Sequence, residues 1–481
     1  MAGASELFRR KAIDAPAGPE KLKRVLGSGH LIALGIGCTI GAGLFSLTGI
    51  AAAENAGPAV VLSYIIAAIA CGFAALCYSE LASMIPVSGS AYTYAYVAFG
   101  EFVAWIIGWD LVLEYTVGAA TVSVSWSSYV TSLLAGHGIT FSPRLTASPF
   151  ETVTLADGSV VHGIANLPAV LIIVFISLLL IRGVSESARV NAAIVVIKLA
   201  VIAAVICFGL PYVSMENYHP FIPDNTGTFG HFGWSGIMRA AGTVFFAYIG
   251  FDAVSTAAQE TRNPSRDMPI GIIGSLVVCV TVYVAFSLVL TGIVNYHDMI
   301  GDAAPVATAI DRTPFGWLKI LVKLGIVCGF TSVLLVLLMG QSRVFFAMSR
   351  DGLLPAIFSR THRRFQTPWL SNLFFMCLTS MLCAFLPISE LGHMTSIGTL
   401  LAFLLVCAGV IVLRRTAPEQ VRRFKVPGGD IIPCLGILSC LVVMLSLDVL
   451  TWVRLVVWLV IGLVIYFAYS RHHSLEAKKA P

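Results

Sequence analysis

Twelve apolar runs divide this 481-residue chain, at roughly 31–53, 58–85, 96–131, 165–181, 188–210, 236–258, 270–294, 316–340, 369–387, 393–413, 431–447 and 450–470. In hydrocarbon no water reaches an unpaired N–H or C=O, so a spanning backbone must close its hydrogen bonds within a helix or a barrel. Runs of about 20 residues have helix length, about twice that of a barrel strand. The sequence therefore predicts an all-α polytopic membrane protein with 12 transmembrane helices. Composition points the same way: 57% of residues are hydrophobic and 11% charged, against about 25% charged in a soluble domain. The third and eighth runs are long enough to tilt and end outside the hydrocarbon.

The charges set the orientation. Arg9, Arg10, Lys11, Lys21, Lys23 and Arg24 crowd the N-terminal tail, and five Arg or Lys fall in each of the 8–9 and 10–11 connectors. The intervening outer loops hold only Arg144 and Arg312. By the positive-inside rule both termini are cytoplasmic, which fits a cell membrane protein. No short apolar core with a cleavage site follows the polar tail, so we read no signal peptide. The net charge of +5 comes from these connectors and implies no nucleic acid partner. The eleven cysteines lie in apolar stretches and read as small packing residues. In the longest outer connector, Asp157-Gly158 between β-formers predicts a small hairpin without functional weight.

Helix breaks carry the function. The first run contains Gly35-Ile-Gly-Cys-Thr-Ile-Gly-Ala-Gly43. It is no dinucleotide fingerprint, since Ile40 stands where the third glycine belongs and no strand precedes it. Two readings remain: a small-residue packing face, or an unwound segment, because glycines two apart cannot share one helical face. Five runs later, Thr243-Val-Phe-Phe-Ala-Tyr-Ile-Gly-Phe-Asp252 places Gly250 and Asp252 in mid-span. Breaks at matching places in two five-helix halves point to an inverted-repeat transporter. The two halves are 31–211 and 235–414, flanked by tails 1–30 and 471–481 and followed by a helical pair at 431–470. Half-helix N-termini offer N–H groups to a carboxylate and free carbonyls accept from an ammonium. That pairing suits an amino acid.

The glycine run with Phe45 resembles the signature of the amino acid–polyamine–organocation superfamily. Pro86-Val-Ser-Gly-Ser-Ala-Tyr-Thr-Tyr94 is similar to its 2–3 connector. Phe245 to Ile270 and Gln341 to Pro355 resemble the cationic amino acid transporter branch closely. The resemblance implies a fold with broken helices 1 and 6, and a substrate held among Thr39, Ile40, Gly41, Ala42, Gly43, Phe246, Ala247 and Ile249. Its carboxylate meets the amides of Gly41, Ala42 and Gly43, and its amine the carbonyls of Thr39, Phe246 and Ile249. Phe246 stands where relatives keep an aromatic gate, and Asp252 where they often keep an acidic gating residue. Ala42 replaces a serine found in some relatives, which removes a hydroxyl contact.

An ionisable group deep in a span is costly and therefore a functional hypothesis. Lys198 lies about ten residues into the fifth run, a long reach for snorkelling. Taking an ammonium out of water makes it easier to deprotonate. By resemblance it replaces the sodium of sodium-coupled relatives, which implies proton coupling. Thr331-Ser332 resembles the hydroxyl pair that ligates that sodium, or else bonds the lysine. Glu114 aligns with the cavity wall, one turn after Asp110; it could exchange protons with Lys198, stay neutral in a structural hydrogen bond, or pair with a cationic side chain. Phe330 implies a size limit that favours a small or medium one. The two pull apart, so the side chain stays open.

The ten histidines lie in connectors, tails or helix ends, with no H-x-x-x-H pair. No catalytic residue, metal or cofactor is implied, which argues against a membrane enzyme. A channel would need no matched breaks, and a sensor on the same fold would bind without flux. The sequence predicts a secondary amino acid carrier working by alternating access, driven by protons before sodium. Oligomeric state is not readable.

Overall fold

The apolar runs become helices because helices alone close their backbone bonds in lipid. The computed structural model describes residues 9–10, 26–85, 90–154, 159–183, 188–302 and 304–475. Most of both tails and the Pro86–Gly89 part of the 2–3 motif lie outside the described residues. Among the rest, eight helical stretches are long and apolar enough to cross a membrane, and four shorter apolar helices accompany them.

The first run divides into α1 (Ser28–Thr39), α2 (Ala42–Phe45) and α3 (Leu47–Ala51). Then come α4 (Val60–Met84), α5 (Ser90–Ala98), α6 (Glu101–Ala135), α7 (Leu167–Ile181) and α8 (Ala188–Gly209). The second half holds α9 (Gly233–Val244), α10 (Pro264–Ile293), α11 (Pro305–Asp311), α12 (Gly316–Arg350), α13 (Trp369–Phe385) and α14 (Ile388–Thr416). Last are α15 (Ile431–Ser446) and α16 (Val449–Ile465).

Two boundaries differ from expectation. The third run was expected to start at 96, but α5 ends at Ala98 and α6 begins only at Glu101. Gly100 between them sits at φ +99°, a left-handed value that interrupts the helix. The sixth run is not one helix through 258: α9 stops at Val244 and tighter helical turns follow at Phe245–Tyr248 and Asp252–Glu260. The outer connector does pair, Thr152–Thr154 antiparallel to Val160–His162, while the Asp157-Gly158 turn lies outside the described residues.

The two longest helices, α6 and α12, pack along each other, and α14 lies on α6. On the other side α10 packs against α1 and α4. Lipid tails supply no hydrophobic drive between helices, so close approach and polar staples do. The indoles of Trp109 and Trp458 donate to each other's backbone carbonyls at 2.9 and 3.0 Å, pinning α16 to α6. At the end of α4, the buried Glu80 carboxylate takes two bonds from Arg414, at 3.0 and 2.5 Å, and one from the Val426 amide at 2.7 Å. Those bonds fold the connector after α14 back onto α4.

Candidate functional site

The glycine run of the first span divides its labour, so both sequence readings hold at different glycines. Gly35 and Gly37 lie in intact helix, where a Cβ would meet Ser275 Oγ at 2.4 Å and Asn191 Oδ1 at 2.7 Å. They are packing glycines against α10 and α8. Gly41 and Gly43 belong to the break. Ile40 turns extended (φ −75°, ψ 105°), and α2 restarts with Gly41 as its cap. The amides of Gly41, Ala42 and Gly43 have no hydrogen-bond partner among the described residues. A Cβ on Gly43 would lie 2.3 Å from the Ala247 Cα, so the two broken spans touch backbone to backbone there.

The break in the sixth span is built the other way. Ile249 is extended, and Gly250 at φ +124° packs its Cα on the last turn of α1, where a Cβ would meet the Cys38 carbonyl carbon at 2.8 Å. Buried Asp252 turns back and accepts the Gly250 amide at 3.1 Å. Of the three carbonyls expected at the substrate amine, Thr39's accepts from the Tyr283 hydroxyl at 3.0 Å and Phe246's from the Ile249 amide at 3.1 Å. The Ile249 carbonyl has no partner among the described residues. Tyr283 also reaches the Ala247 carbonyl at 2.8 Å, so one hydroxyl bridges both breaks.

Between the breaks lies a cavity of about 20 Å³, room for a single water. Thr39, Gly41, Ala42, Glu114, Phe246 and Ile249 line it, as expected from the sequence. Ile40, Gly43, Ala247 and Phe330 do not. Ile40 turns its carbonyl to Lys198, and Gly43 and Ala247 are occupied with each other. Phe330 packs edge-on to Phe45 and Tyr129, at 5.9 and 5.6 Å between ring centres, outside the cavity it was expected to wall. Its place on α12 is taken by Val333 and Leu337, with Gly118 and Val122 of α6 opposite. These four, with Cys38 and Thr395, escaped the sequence reading. Helical spacing could have found Val333 and Leu337, since i+3 and i+7 from Phe330 track one face.

Glu114 is 1% exposed, and among the described residues neither carboxylate oxygen has a hydrogen-bond partner. Thr399 stands beside it, its hydroxyl donating to the Thr395 carbonyl instead. Asp110, one turn earlier, is likewise buried with no hydrogen-bond partner among the described residues, and it abuts Gly398 of α14. Lys198, also 1% exposed, donates to the carbonyls of Gly37 at 2.7 Å and Ile40 at 3.0 Å. It thus caps the carbonyl end that the break in the first span leaves open. Its stem runs against Gly329, where a Cβ would meet Cε at 2.9 Å. The Thr331 hydroxyl donates to the Val327 carbonyl at 2.9 Å and accepts from the Trp126 indole at 3.1 Å, and the Ser332 hydroxyl has no partner among the described residues.

Two interrupted spans facing each other across a buried cavity, in a chain of membrane-spanning helices, define the class of helix-break membrane permeases. Within it, the chain belongs to the amino acid permease family, whose profile matches residues 26–471. The branched-chain amino acid permease BcaP of Bacillus subtilis is 46% identical over 475 residues, 97% of this chain and 98% of its own. A methylthioribose transporter of the same organism is 43% identical, covering 98% and 100%. The vacuolar cationic amino acid transporter 2 of Arabidopsis thaliana is 38% identical over 86% of this chain and 64% of its own length.

Proposed function

We propose that this protein carries neutral amino acids with apolar side chains across the cell membrane by alternating access, with a proton as the coupling ion. One observation carries the reading. Among the described residues, the break in the first span leaves amides without acceptors, the break in the sixth leaves the Ile249 carbonyl without a donor, and both face one cavity. Donors at one end and an acceptor at the other match a zwitterion, with its carboxylate at Gly41 and Ala42 and its amine at Ile249. Gly43 serves the carboxylate through its amide while its α-carbon holds Ala247. Phe246 lies over the site as the gate. Gly118, Val122, Val333 and Leu337 offer the side chain only apolar surface.

We place twelve helices in the membrane, with 31–211 and 235–414 as inverted halves, α15 and α16 beyond them, and both termini cytoplasmic. A cavity of about 20 Å³ holds no amino acid, so the described conformation is closed and loading requires the halves to part. Lys198 is the coupling residue. As an ammonium it holds the Gly37 and Ile40 carbonyls through charge-assisted bonds; as a neutral amine it keeps two N–H donors but loses the charge that strengthens both bonds, so proton loss loosens α1 and frees the break to move. Thr331 and Ser332 flank that region on α12, and Asp252 keeps the second break shut.

Glu114 favours a second reading, facilitated transport or exchange of cationic amino acids, because an unpaired carboxylate in the wall would meet a guanidinium. Radiolabelled uptake into proteoliposomes separates these. Leucine uptake driven by an inward proton gradient, with arginine excluded, supports the first. Arginine uptake indifferent to proton and sodium gradients, abolished in Glu114→Gln, supports the second. Uptake of methylthioribose with no amino acid transported would overturn both, since that sugar offers neither carboxylate nor ammonium.

A further inference from the structure

The first span breaks twice. After the interruption at Ile40–Gly41, α2 lasts four residues and Ser46 (φ −123°, ψ −53°) ends it again before α3 begins. A continuous helix would bond the carbonyls of Gly43, Leu44 and Phe45 to amides four residues on. Here no backbone amide reaches them among the described residues. Three buried hydroxyls do so instead. Tyr64 of α4 donates to Gly43 at 3.0 Å, Thr48 of α3 to Leu44 at 2.5 Å, and Tyr129 of α6 to Phe45 at 2.5 Å. The Tyr64 and Thr48 hydroxyls are themselves 2.6 Å apart. Tyr64 is held in turn, since the Tyr248 hydroxyl donates to its carbonyl at 3.0 Å and the rings of Tyr248 and Tyr283 lean on it.

An unmet buried carbonyl costs about 1–3 kcal/mol, so interrupting the helix at Ser46 is tolerable only because these hydroxyls stand in. The consequence is a turn whose orientation is set by side chains from three other elements, not by helix continuity. That turn carries the free amides of Gly41, Ala42 and Gly43. The same cavity is independently lined by two buried polar side chains, Glu114 and the Thr39 hydroxyl, that have no hydrogen-bond partner among the described residues. We propose that Tyr64 and Thr48 are positioning residues for carboxylate recognition. They aim the amide turn at the substrate through the Gly43 and Leu44 carbonyls, while Tyr129 anchors its far end. This rests on the carboxylate reading above.

The test is competition against radiolabelled leucine uptake in proteoliposomes, using leucine and leucinamide, which keeps the amine and side chain but lacks the carboxylate. The wild type should prefer leucine by about tenfold or more, the equivalent of one charge-assisted bond. Tyr64→Phe and Thr48→Val should each shrink that preference by about three- to tenfold, with maximal velocity within about twofold. Thr48→Ser, which keeps the hydroxyl, should retain the wild-type ratio. A loss of velocity or thermal stability with the leucine-to-leucinamide ratio unchanged would leave these hydroxyls structural and overturn the inference. A wild type indifferent to the carboxamide would overturn the carboxylate reading itself, and the inference with it.

Discussion

The two interrupted spans solve opposite halves of one electrostatic problem. At the first break the carbonyl end is closed by a cation, Lys198 on Gly37 and Ile40, and the amide end is open. At the sixth the amide end is closed by an anion, Asp252 on Gly250, and the Ile249 carbonyl is open. Each break is thus half satisfied by its own protein and half available. Since a helix end carries partial charge of opposite sign at its two termini, leaving opposite ends open gives one cavity a positive and a negative pole. A site for a simple anion would need only the first break. The second makes sense when the ligand carries both charges.

The sharpest way to break that comparison is Gly43→Val. Its Cβ would sit 2.3 Å from backbone, which cannot yield as a side-chain tip can. The two spans would be forced apart at the point that sets their spacing, and leucine affinity should fall by about a hundredfold or more, since a displacement near 1 Å is enough for that. Equilibrium binding on detergent-purified protein measures it; unchanged affinity would mean that the poles need not be this close. Lys198→Ala comes next. It leaves two buried carbonyls bare and removes the charge, so proton-driven accumulation should be abolished while counterflow exchange persists at a reduced rate. Full accumulation in this variant would remove Lys198 from the coupling and leave it a cap.

How much of this could be read beforehand follows from what kind of information each feature needs. Helix existence is local, because apolar length alone decides it, and every expected run is helical. The break in the first span was also legible, from glycines that cannot share a face. What the glycines could not say is which of them pack and which unwind, since that depends on Ser275 and Asn191 arriving from α10 and α8. The second break at Ser46 left no signature, for serine is unremarkable in a helix and its rescuers, Tyr64 and Tyr129, are remote in sequence. Phe330 was misplaced for a related reason. Its residue type suggested a wall, and it shares a face of α12 with Val333 and Leu337, but it lies about two turns before Leu337 along the axis, against Phe45 and Tyr129, so the miss is one of depth along the helix. The boundary at Gly100 hinged on a positive φ, which a lone glycine permits without announcing.

If the breaks recognise only the charged groups of the substrate, selectivity among side chains belongs to the helices between them. Leu337→Ala should test that separation. Removing a branched side chain from the wall enlarges the cavity away from both poles, and preference should move toward bulkier substrates by about tenfold or more, the range that a single methylene commands in an apolar pocket. The ratio of leucine to leucinamide should not change. Competition by phenylalanine, leucine and alanine measures the first, and a parallel shift in the carboxamide ratio would show that wall and poles are one unit.

The smallest effect concerns the closed half of the second break. Asp252→Ala leaves the Gly250 amide without its acceptor in a fully buried turn, and a lost side-chain cap costs about 1 kcal/mol. At φ +124° the Gly250 backbone has few other ways to hold its shape, so melting should occur a few degrees lower and uptake should drop several-fold. Asp252→Asn keeps an oxygen for the amide but removes the anion. If Asp252 acts as a cap, the asparagine variant should lie close to wild type in both readouts. If its charge balances the free pole of the first break, asparagine should behave as badly as alanine in uptake while melting normally. That second result would mean that the two breaks are coupled through the cavity field, and not closed separately by Lys198 and Asp252.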